Sequence, residues 1–297
     1  MLAEACKEPL LGMYYLATLP LRRRRAAQLV AAGQAPIMAL FYHRVADEHS
    51  NDWTISTDRF KEEIIWLRER FEIITLVEAQ QRMASTENRT AAVCITFDDG
   101  YADNCREALP WLLDEQIPFT YFVATGNVLE GRPFIHDVRQ GRPLQPNTRE
   151  QIRVLAEAGV EIGAHTRNHI NLGPITAQDI LDSEIIGSKR DLEAITGRGV
   201  RYFAFPFGLH ANLSQAAFQT AFRAGYWGVC SAYGGYNLPG DDPFHIHRIH
   251  GDPSWARFCN WMTADPRKFR RIPHFDTGDF RATEVNQIER QLKPSDD

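Results

Sequence analysis

Seven short β-rich runs, most of them separated by segments with helical spacing, constrain this chain more than any other feature. The runs are Ile37–Val45, Ala92–Phe97, Phe119–Ala124, Val160–Ala164, Tyr202–Phe207, Tyr226–Ser231 and Phe244–Ile249. Between them, DRFKEEIIWLRER puts Phe60, Ile64, Leu67 and Phe71 on one helical face, and NCREALPWLLDEQ and TREQIRVLAEAG follow. The last of these stops on Gly159, a fitting helix end. A further helix is expected after Thr176, with Asp179 three residues on as a weak capping box. Strand and helix in alternation mean parallel strands joined by crossover helices. Seven strands suit an incomplete (β/α) barrel, an α/β fold, better than an open sheet. In either case functional groups gather beyond the C-terminal strand ends.

Chemically unusual residues sit at those ends. Asp98 and Asp99 follow ITF, His165 and His169 follow VEIGA, and Pro206 and Phe207 close YFAF. His43 ends MALFY, and Arg248 and His250 end HIHRIH, with His245 and His247 expected on the same face as His250. Adjacent aspartates are ordinarily a solvated turn, but in a buried site they need a cation or a shared proton between them. H-x3-H lets two imidazoles reach one ion, and two histidines with one carboxylate leave open positions, as a catalytic zinc site requires. One aspartate would then bind the ion, and the other would take a proton from water. The connection from Gly126 to Asn147 is too long for a simple βα turn and is expected to form a rim over this face. His136 and Asp137, within it, are expected in plain loop.

TFDDGYADN, GAHTRNH and FAFPFG, in that order, resemble the polysaccharide deacetylase family (carbohydrate esterase family 4, the NodB-homology domain) over roughly residues 36–262. The resemblance implies a distorted (β/α)7 barrel and removal of acetyl groups from glycans. It also implies a divalent ion, Zn2+ first, with Co2+, Mn2+, Ni2+ or Fe2+ compatible. Position by position it makes Asp98 the base and Asp99, His165 and His169 the metal ligands. Thr166 would brace the histidine loop through its hydroxyl. Pro206 would shape a turn whose Phe207 N–H helps hold the oxyanion. The pattern departs at Ala204, where the family often has an arginine that steadies the base; Arg248 is expected to supply that charge. His250 stands where the family has its late histidine and is the candidate general acid, with His43 lining the pocket. A deformylase or cyclic amidase of the same fold, or a glycan-binding protein without turnover, are the alternatives.

A net charge of −5 argues against a nucleic-acid binder, which calls for a basic surface. Five scattered cysteines form no CxxC pair, which points to reducing conditions. PLLGMYYLATLPLRRRR, in the first 35 residues, has about a dozen mostly apolar residues, short of the roughly 20 a span needs. Its charges also follow the apolar run, unlike a secretory signal. A surface helix is the plain reading, and a peripheral membrane contact with arginines on anionic headgroups is the sharper one. These features suggest a cytoplasmic, membrane-associated chain with an N-terminal helical extension (1–35), a catalytic domain (36–262) and a C-terminal tail (263–297). An N-acetylated glycan or a lipid-linked sugar would be the substrate.

Overall fold

The computed structural model describes residues 7–251, 254–265 and 273–277. Its centre is a ring of parallel strands: β1 (Ile37–Tyr42), β2 (Ala92–Phe97), β3 (Phe119–Val123), β4 (Glu161–Ala164), β5 (Tyr202–Ala204), β6 (Gly228–Cys230), β7 (His245–Ile246) and β8 (Arg248–His250). The hydrogen-bonded order is β7-β6-β5-β4-β3-β2-β1-β8. Only His247 separates β7 from β8, so the seventh predicted run is one strand split between two neighbours. Its first half pairs with β6, and its second half pairs with β1. The ring thereby closes as a distorted (β/α)7 barrel.

Asn237 fills the seam at the split. Its side-chain Oδ1 accepts from His247 N at 2.8 Å and its Nδ2 donates to His247 O at 2.9 Å. Its backbone exchanges two 2.9 Å bonds with Ile37. A buried side-chain amide thus stands in for a stretch of missing strand, satisfying backbone groups that would otherwise be stranded away from water.

Both faces of the strands are buried, which is why they read as continuous apolar runs rather than as alternation. Inward residues are mostly small: Ala39, Ala92, Cys94, Ala204 and Cys230 leave room inside a narrow ring, where Phe122 and Tyr202 fill the remainder. Outward residues such as Met38, Leu40, Val93, Ile95 and Tyr121 meet the helices.

Several predicted ends move. The run to Val45 stops as barrel strand at Tyr42, and Arg44–Val45 pairs instead with Thr54–Ile55. The run to Phe207 stops at Ala204, where the chain turns into the site. The helix expected after Thr176 begins at Gln178 on Ala177, with no side-chain cap, so the capping box is not formed. It continues through a π-helical turn, Asp182–Ile186, into Gly187–Thr196. Gly159, at φ +89°, follows the helix Arg149–Glu157 as expected.

The helix Lys7–Ala31 packs against Trp255–Met262, the helix after β8. Arg22 is buried there, donating to Asn260 O at 2.8 Å and to Asn260 Oδ1 at 2.5 Å. That corrects the expectation that the whole arginine run faces headgroups: Arg22 is a structural anchor. Cys94, Cys105, Cys230 and Cys259 are free thiols, and Cys6 lies outside the described residues. Most of the expected tail lies outside them too. No helix among the described residues is long and apolar enough to cross a membrane.

Candidate active site

Strand alternation loads the mouth of the ring. Cys94, Thr96 and Asp98 form one inward column; Ala39, Phe41 and His43 a second; Ile246, Arg248 and His250 a third. His245 and His247 cannot share that face, because spacings of five and three residues invert it. Their rings lie 4.4 Å apart on the outer side, near Tyr233, and His245 packs against Phe218. The shared face expected for the three histidines is therefore corrected.

At the end of β2, Asp98 and Arg248 meet as a fork. Arg248 Nη1 donates to Asp98 Oδ1 at 2.7 Å and Nη2 to Oδ2 at 2.8 Å. Nη1 also donates to Thr96 Oγ1 at 3.0 Å, and Nε to Ser231 O at 3.1 Å. The guanidinium lies between the rings of Phe41 and Phe122, with its carbon 4.9 and 5.3 Å from their centres. Both members are buried. Burial pushes the Asp98 carboxyl up, but the Arg248 charge and its bonds outweigh it and hold the group below its usual range. Arg248 thus gives Asp98 the positive partner that Ala204 cannot.

Asp99 turns the opposite way. Gly100 N donates to Asp98 O at 2.9 Å across an Asp99 with φ +73°, a γ-turn of the rare, strained, positive-φ kind. Adjacent carboxylates thereby point to different partners. Asp99 Oδ1 lies 3.4 Å from His165 Nε2 and 3.1 Å from His169 Nε2. Burial opposes the Asp99 carboxylate, and its attraction to the neighbouring imidazoles, His169 foremost, outweighs that and holds it well below the usual range.

The same turn recurs in the third motif. Gly208 N donates to Pro206 O at 2.7 Å across Phe207 at φ +63°. Phe207 is 56% exposed, with its ring 5.2 Å from that of His169. Pro206 is buried beneath it. Thr166 and His169 also have positive φ, at 62° and 51°. Strain concentrated at four motif residues is what a preorganised site stores.

Does this pocket fit a cation? One ligand atom from each of Asp99, His165 and His169 lies within 4.8 Å of the others. Asp99 Oδ1 is buried without a hydrogen-bond partner. His165 Nδ1 is 2.8 Å from Ala204 O. A carbonyl only accepts, so Nδ1 carries the proton and Nε2 presents its lone pair toward Asp99. The His165 lone pair, His169 Nε2 and a bare carboxylate oxygen converge on one point, which fits a divalent cation, and the donor set suits zinc.

The histidine loop is braced otherwise than expected. Thr166 Oγ1 is buried and makes no hydrogen bond, so its hydroxyl is not the brace. Its carbonyl accepts from Thr125 N at 3.1 Å, and Arg167 O accepts from Gly126 N at 2.7 Å. Glu184, aimed by the π-helical turn, accepts from Arg167 N and Asn168 N at 3.0 and 2.9 Å and from Asn168 Nδ2 at 2.6 Å. Sequence reasoning missed Glu184, because helical periodicity does not register one extra residue in a turn.

At the rim, His43, Trp53 and His250 form a ring cluster: His43–Trp53 4.8 Å, His43–His250 5.8 Å, Trp53–His250 5.9 Å. Burial drives His250 down to about 3, and it also lowers His43, so both rest neutral. Asn104, in the first motif, fixes the chain at His43: its Nδ2 donates to His43 O at 2.7 Å, and its Oδ1 accepts from Val45 N at 2.8 Å.

The connection 126–147 is a rim, but not a plain loop. It holds two short helices, Thr125–Glu130 and Ile135–Arg139. Asp137 is buried, accepting from Tyr101 Oη and Asn51 Nδ2, both at 2.8 Å. The His136 and Phe134 rings come within 6.0 and 5.7 Å of the His169 ring.

A (β/α)7 barrel with this constellation at its strand ends defines a NodB-like hydrolase. The polysaccharide deacetylase family model matches residues 85–226, and that likeness marks the chain as a hydrolase of carbon–nitrogen bonds other than peptide bonds. The structure is similar to that of IcaB from Ammonifex degensii, with TM-score 0.66 and 27% identity over 77% of this chain and 97% of that one. The Streptococcus pyogenes deacetylase PplD, solved with acetate, shares the fold at TM-score 0.66 and 20% identity, over 78% of this chain and 100% of that one. YxkH of Bacillus subtilis, whose name assigns it provisionally to polysaccharide deacetylases, is 24% identical over 224 residues, 75% of this chain and 74% of its own.

Proposed function

We propose that this chain is a metal-dependent deacetylase that hydrolyses N-acetyl groups on a glycan, either polymeric or carried on a lipid, with Asp98 as base. The observation that carries the reading is the division of labour between neighbours: Asp98 is gripped by Arg248, while Asp99 faces His165 and His169.

Asp99, His165 and His169 would hold the cation, Zn2+ or a related divalent ion. When bound, such an ion polarises an acyl carbonyl and lowers the pKa of water towards about 7. Asp98 accepts the proton of the attacking water. Both its oxygens already accept from Arg248, and each keeps a second lone pair for that proton. Arg248 keeps the carboxylate ionised and aimed between turns. The Phe207 N–H steadies the negative oxygen that forms when water adds to the carbonyl. The carbon–nitrogen bond then breaks, and the departing amine needs a proton. His250 is neutral at rest, so it serves as a relay: it takes up the proton that Asp98 gained and delivers it to nitrogen. His43 and Trp53 offer ring faces to a sugar.

The test is release of acetate from N-acetylglucosamine oligomers and lipid-linked N-acetyl sugars, and of formate from the matching N-formyl sugars, with metal-loaded protein. Acetate release that disappears in Asp98→Asn supports the reading. Formate as the only acid released moves the chain to a deformylase. Sugar binding with no acid released from any substrate overturns turnover altogether.

A further inference from the structure

The helix Lys7–Ala31 is apolar on two sides. Its inner side carries Leu11, Tyr15, Leu19 and Leu29, with Arg22 docked on Asn260. On its outer side, Leu10, Met13, Leu16, Ala17, Pro20 and Leu21 are all exposed, Leu16 by 67%, and no charged residue interrupts them. The next exposed residues are Arg23, Arg24 and Arg25. Covering a core needs only the inner side; a second apolar side left in water needs another explanation.

We propose that this outer side is a peripheral membrane anchor, with Leu10, Met13, Leu16 and Leu21 among acyl chains and Arg23, Arg24 and Arg25 on the phosphates of anionic lipid. Charge complementarity selects this occupant. From Pro9 to Ala31 the helix has no Asp or Glu, and Glu8 is engaged by Ser254 Oγ and by Ala256 N at 3.2 Å. Pairing with a second copy through this face would bury Arg23 and Arg24 of both copies beside a helix that has no carboxylate from Pro9 to Ala31, whereas a bilayer surface supplies both acyl chains and phosphate. Outside Arg22–Arg25 the chain carries 29 Lys and Arg against 38 Asp and Glu, so the arginine run is a local exception.

The placement has a consequence for substrate, and that part rests on the deacetylase reading. Glu8 ties the start of the helix to the segment just beyond β8, at the catalytic end of the ring, while Ala31 leads to the start of β1 at the other end. A helix lying flat on the membrane therefore sets the barrel on its side, with its mouth opening along the surface. A sugar carried on a membrane lipid is then presented to the site, and a soluble oligomer gains nothing from the anchor.

The experiment is co-sedimentation of the full chain with vesicles of phosphatidylcholine alone and of phosphatidylcholine with phosphatidylglycerol. Two variants accompany it: Leu10→Glu/Met13→Glu/Leu16→Glu and Arg23→Glu/Arg24→Glu/Arg25→Glu. The native chain is expected to pellet with the mixed vesicles and to be released by salt. The arginine variant should bind at least about a hundredfold more weakly, from roughly 1 kcal/mol for each charge. The apolar variant should fail to pellet, while both keep the native melting temperature and the native turnover of a soluble oligomer. Equal pelleting of all three proteins overturns the anchor, as does a native chain that pellets with neither vesicle. A dimer that the apolar variant dissociates would also overturn it, assigning the face to a second copy. A native chain inactive on every sugar but bound to mixed vesicles would sink the deacetylase reading and leave the anchor standing.

Discussion

Arg248 reaches the site from a strand on the far side of β1 from Asp98, and its guanidinium does two jobs at once. It neutralises a buried carboxylate and, through the forked pair of bonds, fixes which way that carboxylate points. Removing it strands a charge, so Arg248→Ala should lose about 3–5 kcal/mol in chemical denaturation. Its kcat/KM should fall by at least about a hundredfold, the scale of a positioned base. Arg248→Lys restores charge without the fork and should recover stability more than rate. Unchanged turnover in Arg248→Ala would remove Arg248 from the machinery. His250 yields a second test. Because burial holds it down to about 3, a plot of kcat/KM against pH should carry no His250 limb near pH 6.5. His250→Gln should lower kcat by about a hundredfold and leave the positions of both limbs in place. A limb near neutrality that vanishes in His250→Gln would contradict the relay.

At the scale of elements, two joints decide whether the residues meet. The π-helical turn aims Glu184 at the Arg167 and Asn168 backbone, so Glu184→Ala should weaken metal binding by about 10–100-fold while the fold survives, as titration with zinc would read. Asn237 closes the seam, and Asn237→Ala leaves the half-buried His247 N–H and carbonyl without their partners. It should cost about 2–5 kcal/mol, read as a lower denaturant midpoint. Neither joint was legible in the sequence. All seven strands were, because runs buried on both faces are apolar throughout and turn signals bound them. Their ends were less so: Phe205 to Phe207 are as apolar as strand, yet Pro206 and the strained turn at Phe207 take them out of the ring. The candidate metal ligands could be found because they lie just past strand ends, Asp99 after Phe97 and His165 and His169 after Ala164. Arg248 could be found because the missing arginine at Ala204 posed a charge to be supplied. The bracing role of Thr166 could not, since whether a hydroxyl finds a partner depends on residues far away in the chain.

For the molecule as a whole, the buried neutral histidines set the response to acid. Burial holds His250 to about 3 and His247 to about 4, and lowers His43. Unfolded, each titrates at about 6.5. Between that value and the folded ones the unfolded chain binds more protons, so stability falls as pH drops through the window. The depressed carboxylates of Asp98 and Asp99 act in the same direction at lower pH, contributing stability that is lost as they are protonated. The melting temperature should therefore decline steadily from pH about 7 to pH about 4, before ordinary carboxylates are titrated in full. A flat profile over that range would mean that these rings are hydrated in solution.

Metal content tests the central division of labour most directly. Native protein, Asp98→Asn and Asp99→Asn would be stripped with chelator, reloaded with zinc, desalted and measured by elemental analysis. The account predicts a full equivalent in the native chain and in Asp98→Asn, and next to none in Asp99→Asn. Equal zinc in all three, or none in the native chain, would contradict it.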